Sequence, residues 1–214
     1  MQPSTIFSFL LAGSSAASVA ACSITSNVKV TFYGSPDNDP PGSILVAHNC
    51  GGRNYNAGGT GTYGDPVTFA SSTAEYSVCE VIYLPYLKKY LRMEDDCAAC
   101  IDDWNSGTKH IDIFTGDASD GGQAQVECEN ALTPDANQGV IRSPATNLAV
   151  DTTPLWKSGT CNTGHVYVNN NPKDYCGGGS GGGSPTCQTG CSWAGHCIGM
   201  LPTIESYDCI RKLT

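Results

Sequence analysis

The chain has 214 residues, 14% of them charged, a formal net charge of −9, and 12 cysteines. So few Lys and Arg under such an acid excess exclude a protein that tracks nucleic-acid phosphates, and 40% hydrophobic residues exclude wholesale disorder. Twelve cysteines belong to an oxidising compartment.

Residues 1–21 carry no charge and run from an apolar stretch, Ile6 to Ala12, into the small residues around Ala20 and Ala21. That is the form of a secretory signal peptide with a weak n-region. Val19-Ala20-Ala21-Cys22 also has the outline of a bacterial lipobox, without the basic residues that normally precede one. No later stretch approaches the ~20 apolar residues of a membrane span. The expectation is a secreted, soluble monomer with no membrane and no nucleic-acid partner. Short β-rich runs follow at 28–33, 67–70, 79–83, 90–93 and 110–114, separated by Gly, Pro, Asn and Asp. Residues 123–128 read as a strand or a short helix. The class is therefore all-β, a small closed barrel or a sandwich. Residues 136–176 are expected to form a loop-rich extension that completes the domain 22–176. Residues 177–186 form a Gly/Ser linker, and 187–214 a small module stapled through Cys187, Cys191, Cys197 and Cys209. In that module Trp193 is either a sugar-stacking platform or the knot's own core.

The chemistry concentrates between residues 61 and 116. One predicted strand ends in Glu94-Asp95-Asp96, and a second carries His110-Ile111-Asp112-Ile113. Strand alternation sends Ile111 and Ile113 to the core and puts His110 and Asp112 on the other face. A carboxyl between two buried isoleucines is partly desolvated, which raises its pKa and suits a general acid. His110 is placed to orient it or to touch substrate. Cys97-Ala-Ala-Cys100 has redox or metal spacing, but in an oxidising compartment it reads as a structural disulfide. His48, His110, His165 and His196 show no zinc spacing, so neither metal nor cofactor is expected. Trp104, Tyr33 and Tyr63 can floor sugar subsites or simply pack. Asp37-Asn38-Asp39 is either a turn cluster or a source of a second carboxylate. Lys88, Lys89 and Arg92 make a local basic strip.

These elements together resemble the double-psi β-barrel superfamily. Glu94-Asp95, followed by His110-Ile111-Asp112-Ile113-Phe114-x-Gly116, is similar to the three-aspartate domain of membrane-bound lytic transglycosylase A. The His-x-Asp element, with Val30-Thr31-Phe32-Tyr33-Gly34 upstream, is similar to expansins and to family 45 endoglucanases. Thr31-Phe32-Tyr33-Gly34-x-x-Asp37-Asn38-Asp39-Pro40-Pro41 and Gly58-Gly59-Thr60-Gly61-Thr62-Tyr63 resemble secreted fungal muramidases of glycoside hydrolase family 184. The resemblance covers about residues 28–130. It implies a six-stranded double-psi barrel and puts Asp112 at the catalytic acid and Asp95 at the second barrel aspartate. Asp37 or Asp39 then falls at the second carboxylate of family 45. The cysteine-rich motif that follows the first strand in family 45 is missing. The implied activity is cleavage of β-1,4 bonds in peptidoglycan, by hydrolysis or by lytic transglycosylation. The alternatives are an endo-β-1,4-glucanase and a non-catalytic, expansin-like wall-binding protein.

Overall fold

A computed structural model describes residues 22–116 and 121–176. The expected signal peptide, the Gly/Ser linker and the Cys-rich module lie outside the described residues. Six strands close a barrel: β1 (Ser23–Tyr33), β2 (Val67–Ser71), β3 (Val81–Leu84), β4 (Lys89–Asp96), β5 (Lys109–Phe114) and β6 (Gln138–Arg142), in the order β1-β5-β2-β4-β3-β6. β1 runs parallel to β5, and β2 parallel to β4; the remaining pairings are antiparallel. A two-stranded ribbon, β7 (Trp156–Lys157) with β8 (Thr160–Cys161), lies outside the barrel.

Period-two patterning fills the barrel. Val28, Val30 and Phe32 of β1 meet Phe69, Leu91, Met93, Ile111 and Ile113 in one buried cluster. The intervening residues of β1 and β5, Lys29, Thr31, Tyr33, His110, Asp112 and Phe114, therefore share the outer face. That face is partly roofed. Tyr33, Ala70, Phe114, Cys97 and Cys100 pack there with Val46 and Ala57 of the long β1–β2 connection. Arg53 holds this connection down: it pairs with the buried Glu94 and with Asp65 at 2.8 Å, and Arg92 pairs with the other oxygen of Glu94.

Two helices complete the domain: α1 (Ala98–Asn105), packed on β5 and β2, and α2 (Gln123–Leu132), packed on β1. The 123–128 segment resolves as helix because its buried positions, Gln125, Cys128, Glu129 and Leu132, fall at i, i+3, i+4 and i+7. The 136–176 region differs from the expected extension in one respect that decides the fold. Its residues 138–142 are the strand that closes the barrel, pairing with both β1 and β3. Only five residues long and flanked by polar turns, that strand carries little pattern of its own.

Among the described residues four disulfides link Cys22–Cys176, Cys50–Cys79, Cys97–Cys100 and Cys128–Cys161. The Cys97–Cys100 bridge is the expected structural pair. Cys22 spends its sulfur on Cys176, which leaves none for a lipid. No helix among the described residues is long and apolar enough to cross a membrane.

Candidate active site

Register builds the site. Thr31 of β1 lies opposite Asp112 of β5, Asp112 opposite Ala70 of β2, and Ala70 opposite Asp95 of β4. Cross-strand neighbours project to the same side, so Thr31, Asp112, Ala70 and Asp95 form one row across the barrel's outer face. A bulge in β4 between Met93 and Asp95 makes this possible, since regular pairing would put Glu94 opposite Ala70.

Asp112 is half-buried between the fully buried Ile111 and Ile113, as alternation predicts. Loss of solvent and the nearby charge of Asp37 push its pKa up to about 6, while the Thr31 hydrogen bond pulls the other way. That bond runs from Thr31 Oγ1 to Asp112 Oδ1 at 2.7 Å. A carboxyl held near neutrality with an open side can keep a proton and deliver it.

Three other carboxyls surround it and behave differently. Asp95 is anchored: Oδ1 accepts from the N–H groups of Ala47 (2.9 Å) and Asp96 (3.0 Å), and Oδ2 lies 3.5 Å from the Tyr33 hydroxyl. Between Asp95 and Asp112 sits Ala70, 3% exposed beneath the roof of the outer face. Asp95 thus fastens the β1–β2 connection, and a filled apolar patch separates it from Asp112. Asp37, by contrast, is exposed and turns back to the end of β1, where its Oδ1 accepts the Gly34 N–H at 2.9 Å. It is the aspartate of the 37–39 cluster whose charge reaches Asp112.

Glu129 of α2 is the acid that sequence reasoning missed. It is 3% exposed, and burial beside Asp37 and Asp112 pushes its pKa up to about 9. Its Oε1 and the Gln125 amide lie against Gly34, where a β-carbon would collide with both. Glycine at 34 is therefore what lets α2 approach the site. The signal was present in the sequence as two polar residues, Gln125 and Glu129, at core-facing positions of an amphipathic helix.

His110 stands behind Asp112 on β5, 2% exposed. Its Nε2 is 2.8 Å from Thr31 Oγ1, and its Nδ1 is 2.8 Å from Asp103 Oδ2 on α1. Lys29 reaches the same Asp103 oxygen at 3.0 Å. His110 is thus enclosed, away from any surface a substrate can touch. One of its ring nitrogens comes within 4.8 Å of the Cys97 and Cys100 sulfurs, but these are bonded to each other and offer no thiolate to a metal.

The predicted aromatic platforms are dispersed. Tyr33 is buried with its ring edge-on to Phe114 at 5.5 Å. Tyr63 is 43% exposed and stacks edge-on on Tyr90. Trp104 lines a separate cavity of about 270 Å³ with Ile24, Glu75, Lys109 and Arg142. The expected basic strip is spent on structure. Lys89 is buried with its ammonium on the Asp151 and Thr153 carbonyls, Lys88 sits over the Tyr167 ring, and Arg92 holds Glu94.

A protein of Dictyostelium discoideum, itself described as uncharacterised, is 38% identical over 133 residues, 62% of this chain and 57% of that protein. The chain thus spans little more than half the length of this relative. No solved structure matches it. The family model for the DDB_G0273701 N-terminal domain matches residues 25–162, a span that holds the whole barrel, Asp37, Asp95, Asp112 and Glu129. The chain belongs to that family.

Proposed function

We propose that this protein is a secreted glycoside hydrolase that cleaves β-1,4 bonds of peptidoglycan, with Asp112 as general acid. One observation carries the reading: a half-buried carboxyl with pKa near 6 beside an exposed aspartate whose charge it feels. A carboxyl that keeps its proton near neutral pH, set beside a solvent-exposed carboxyl, is the pair acid–base cleavage of a glycosidic bond requires. Asp112 protonates the leaving oxygen. Asp37, exposed to water and positioned by the Gly34 N–H, activates the nucleophile or stabilises the oxocarbenium-like transition state. Asp95 holds the roof of the site.

The two parallel pairs, β1 with β5 and β2 with β4, support the double-psi class for the barrel. Four disulfides support secretion.

The test is clearance of Gram-positive cell walls, followed by turbidity and by mass spectrometry of the released fragments. Wild type should release muropeptides with reducing muramyl ends. Asp112→Asn should lose at least ~10²-fold in rate, and Asp37→Asn should fall comparably, while Asp95→Asn should act mainly through stability. Unchanged clearance by Asp112→Asn overturns the reading, and anhydromuramyl ends turn it to transglycosylation.

A further inference from the structure

The polar groups behind Asp112 form an unbroken line: Asp112 Oδ1 to Thr31 Oγ1 at 2.7 Å, Thr31 Oγ1 to His110 Nε2 at 2.8 Å, and His110 Nδ1 to Asp103 Oδ2 at 2.8 Å. Hydrogens can be counted along it. Thr31 has a single hydroxyl hydrogen, and both of its neighbours can accept it. Asp103, paired with Lys29, remains a carboxylate, its pKa lowered chiefly by the Lys29 hydrogen bond, so it favours a hydrogen on Nδ1.

Consider the line with one further proton. If Asp112 holds it, Asp112 donates to Thr31, and Thr31 donates to the bare Nε2 of a neutral imidazole. If His110 holds it, Nε2–H donates to Thr31, and Thr31 donates to the Asp112 carboxylate. Asp112, Thr31 and Nε2 are all satisfied in both arrangements, while Nδ1 faces the Asp103 carboxylate at 2.8 Å as a charge pair. They interconvert when one proton crosses from Asp112 to Thr31 and another from Thr31 to Nε2, with no change in total charge. Now remove that proton. Asp112 is a carboxylate, Nε2 a bare lone pair, and the single Thr31 hydrogen can serve only one of them. If Asp112 takes it, Nε2 is left without a partner in a closed environment, which is costly; if Nε2 takes it, Asp112 loses that donor and turns to the Ile113 N–H and to water at its open side.

We propose that Asp112 and His110 share one proton through the Thr31 hydroxyl, so that Thr31, His110 and Asp103 act as positioning residues that keep the acid armed. This rests on the role of Asp112 given above and adds the source of its proton. After Asp112 yields its proton to a leaving group, the line sits in its unsatisfied state and draws one back from water at the open Asp112 end.

The surrounding charges act on the same pair. Asp112 faces Lys29 on β1, Asp37 in the β1–β2 connection and Glu129 on α2. His110 faces Asp103 on α1 and Lys29 on β1, and its backbone N–H donates to Glu75 Oε2 at 3.0 Å. The Cys97–Cys100 disulfide beside it is neutral.

The experiment is a pH titration followed by NMR on intact protein, reading the Asp112 side-chain carboxyl carbon and both ring nitrogens of His110. In wild type the two residues should report the same two macroscopic steps, the signature of sites coupled by more than about one pK unit. Thr31→Val keeps the branched shape but removes the hydroxyl, and each residue should then show a single step of its own. Thr31→Ser should restore the shared steps. Asp103→Asn provides a second break, with His110 losing its proton at lower pH and Asp112 holding its own to higher pH. Independent single steps in the wild type, or shared steps that persist in Thr31→Val, overturn the proposal. Neither readout requires catalysis. Shared steps together with wall clearance that survives Asp112→Asn would keep the proton line and discard the glycosidase, whereas the converse would keep the glycosidase and discard the line.

Discussion

Burial raises three of the acids around the site, Asp95, Asp112 and Glu129, and leaves Asp37 in solvent. Asp112 and Glu129 are lifted by loss of water, Glu129 the further, and Glu129 lacks the hydroxyl donor that Thr31 gives Asp112. A carboxyl whose folded pKa lies above its unfolded value favours the folded state at low pH. That advantage is complete below the unfolded pKa and is lost as pH rises through the folded one. For Glu129 the window extends from about 4.5 to about 9, so the wild type should lose stability across it. Glu129→Gln keeps the shape, stays neutral, and should flatten the curve. The two proteins should melt within about 1 kcal/mol of each other at pH 5, and by pH 8 the variant should be the more stable by about 4 kcal/mol. Parallel pH–stability curves from thermal melts would show that Glu129 is solvated and plays no such part.

At the scale of elements, the site depends on how closely α2 meets the end of β1. Gly34 is the contact point, with the Gln125 amide and Glu129 Oε1 packed against its α-carbon. Gln125 is itself fixed, donating to Thr115 Oγ1 at 2.9 Å and accepting the Gly121 N–H at 3.0 Å. Those side-chain ends have nowhere to go, so Gly34→Ala should cost about 1–3 kcal/mol and shift Asp37, whose carboxyl is held by the Gly34 N–H. Calorimetry measures the first effect and wall clearance the second; a melting temperature within a degree of wild type would mean α2 can retreat freely. This dependence also explains what the sequence could and could not reveal. Strands β1, β4 and β5 were legible because their alternation is regular and their length sufficient. The Asp112 face followed from two flanking isoleucines. What stayed hidden depended on which strand lies beside which. Nothing near Asp95 in the chain announces that Ala70 and its roof stand between it and Asp112. Trp104 falls only six residues before His110, yet it lines a separate cavity with Glu75 and Arg142. Thr31 looked like one β-branched residue among several until the parallel pairing of β1 with β5 put its hydroxyl between two titratable groups.

For the whole molecule, the barrel is held by its core and by bridges that act over very different spans. Cys97–Cys100 closes a separation of 3 and shapes only the start of α1, where Cys97 is the N-cap and its sulfur accepts the Cys100 N–H at 3.0 Å. Cys22–Cys176 closes a separation of 154 and joins the residue before β1 to the segment after the last 3-10 turn, Pro172–Asp174. Constraint of the unfolded chain grows with the logarithm of the closed loop, so this bridge should contribute more than any other, on the order of 3–5 kcal/mol. It lies beside the early part of β1, Ser23 to Thr25, which pairs with β6. The Thr31–Asp112 register lies further along the strand and is fixed by β5. Replacing both cysteines by serine should therefore separate stability from function. The melting temperature should fall by on the order of 10 °C, while wall clearance at 25 °C and the shared titration of Asp112 and His110 stay as in the wild type. A fall of less than about 2 °C would mean that the core alone holds the two ends together, and a lost titration signature would mean that the proton line depends on the closure of β1 against β6.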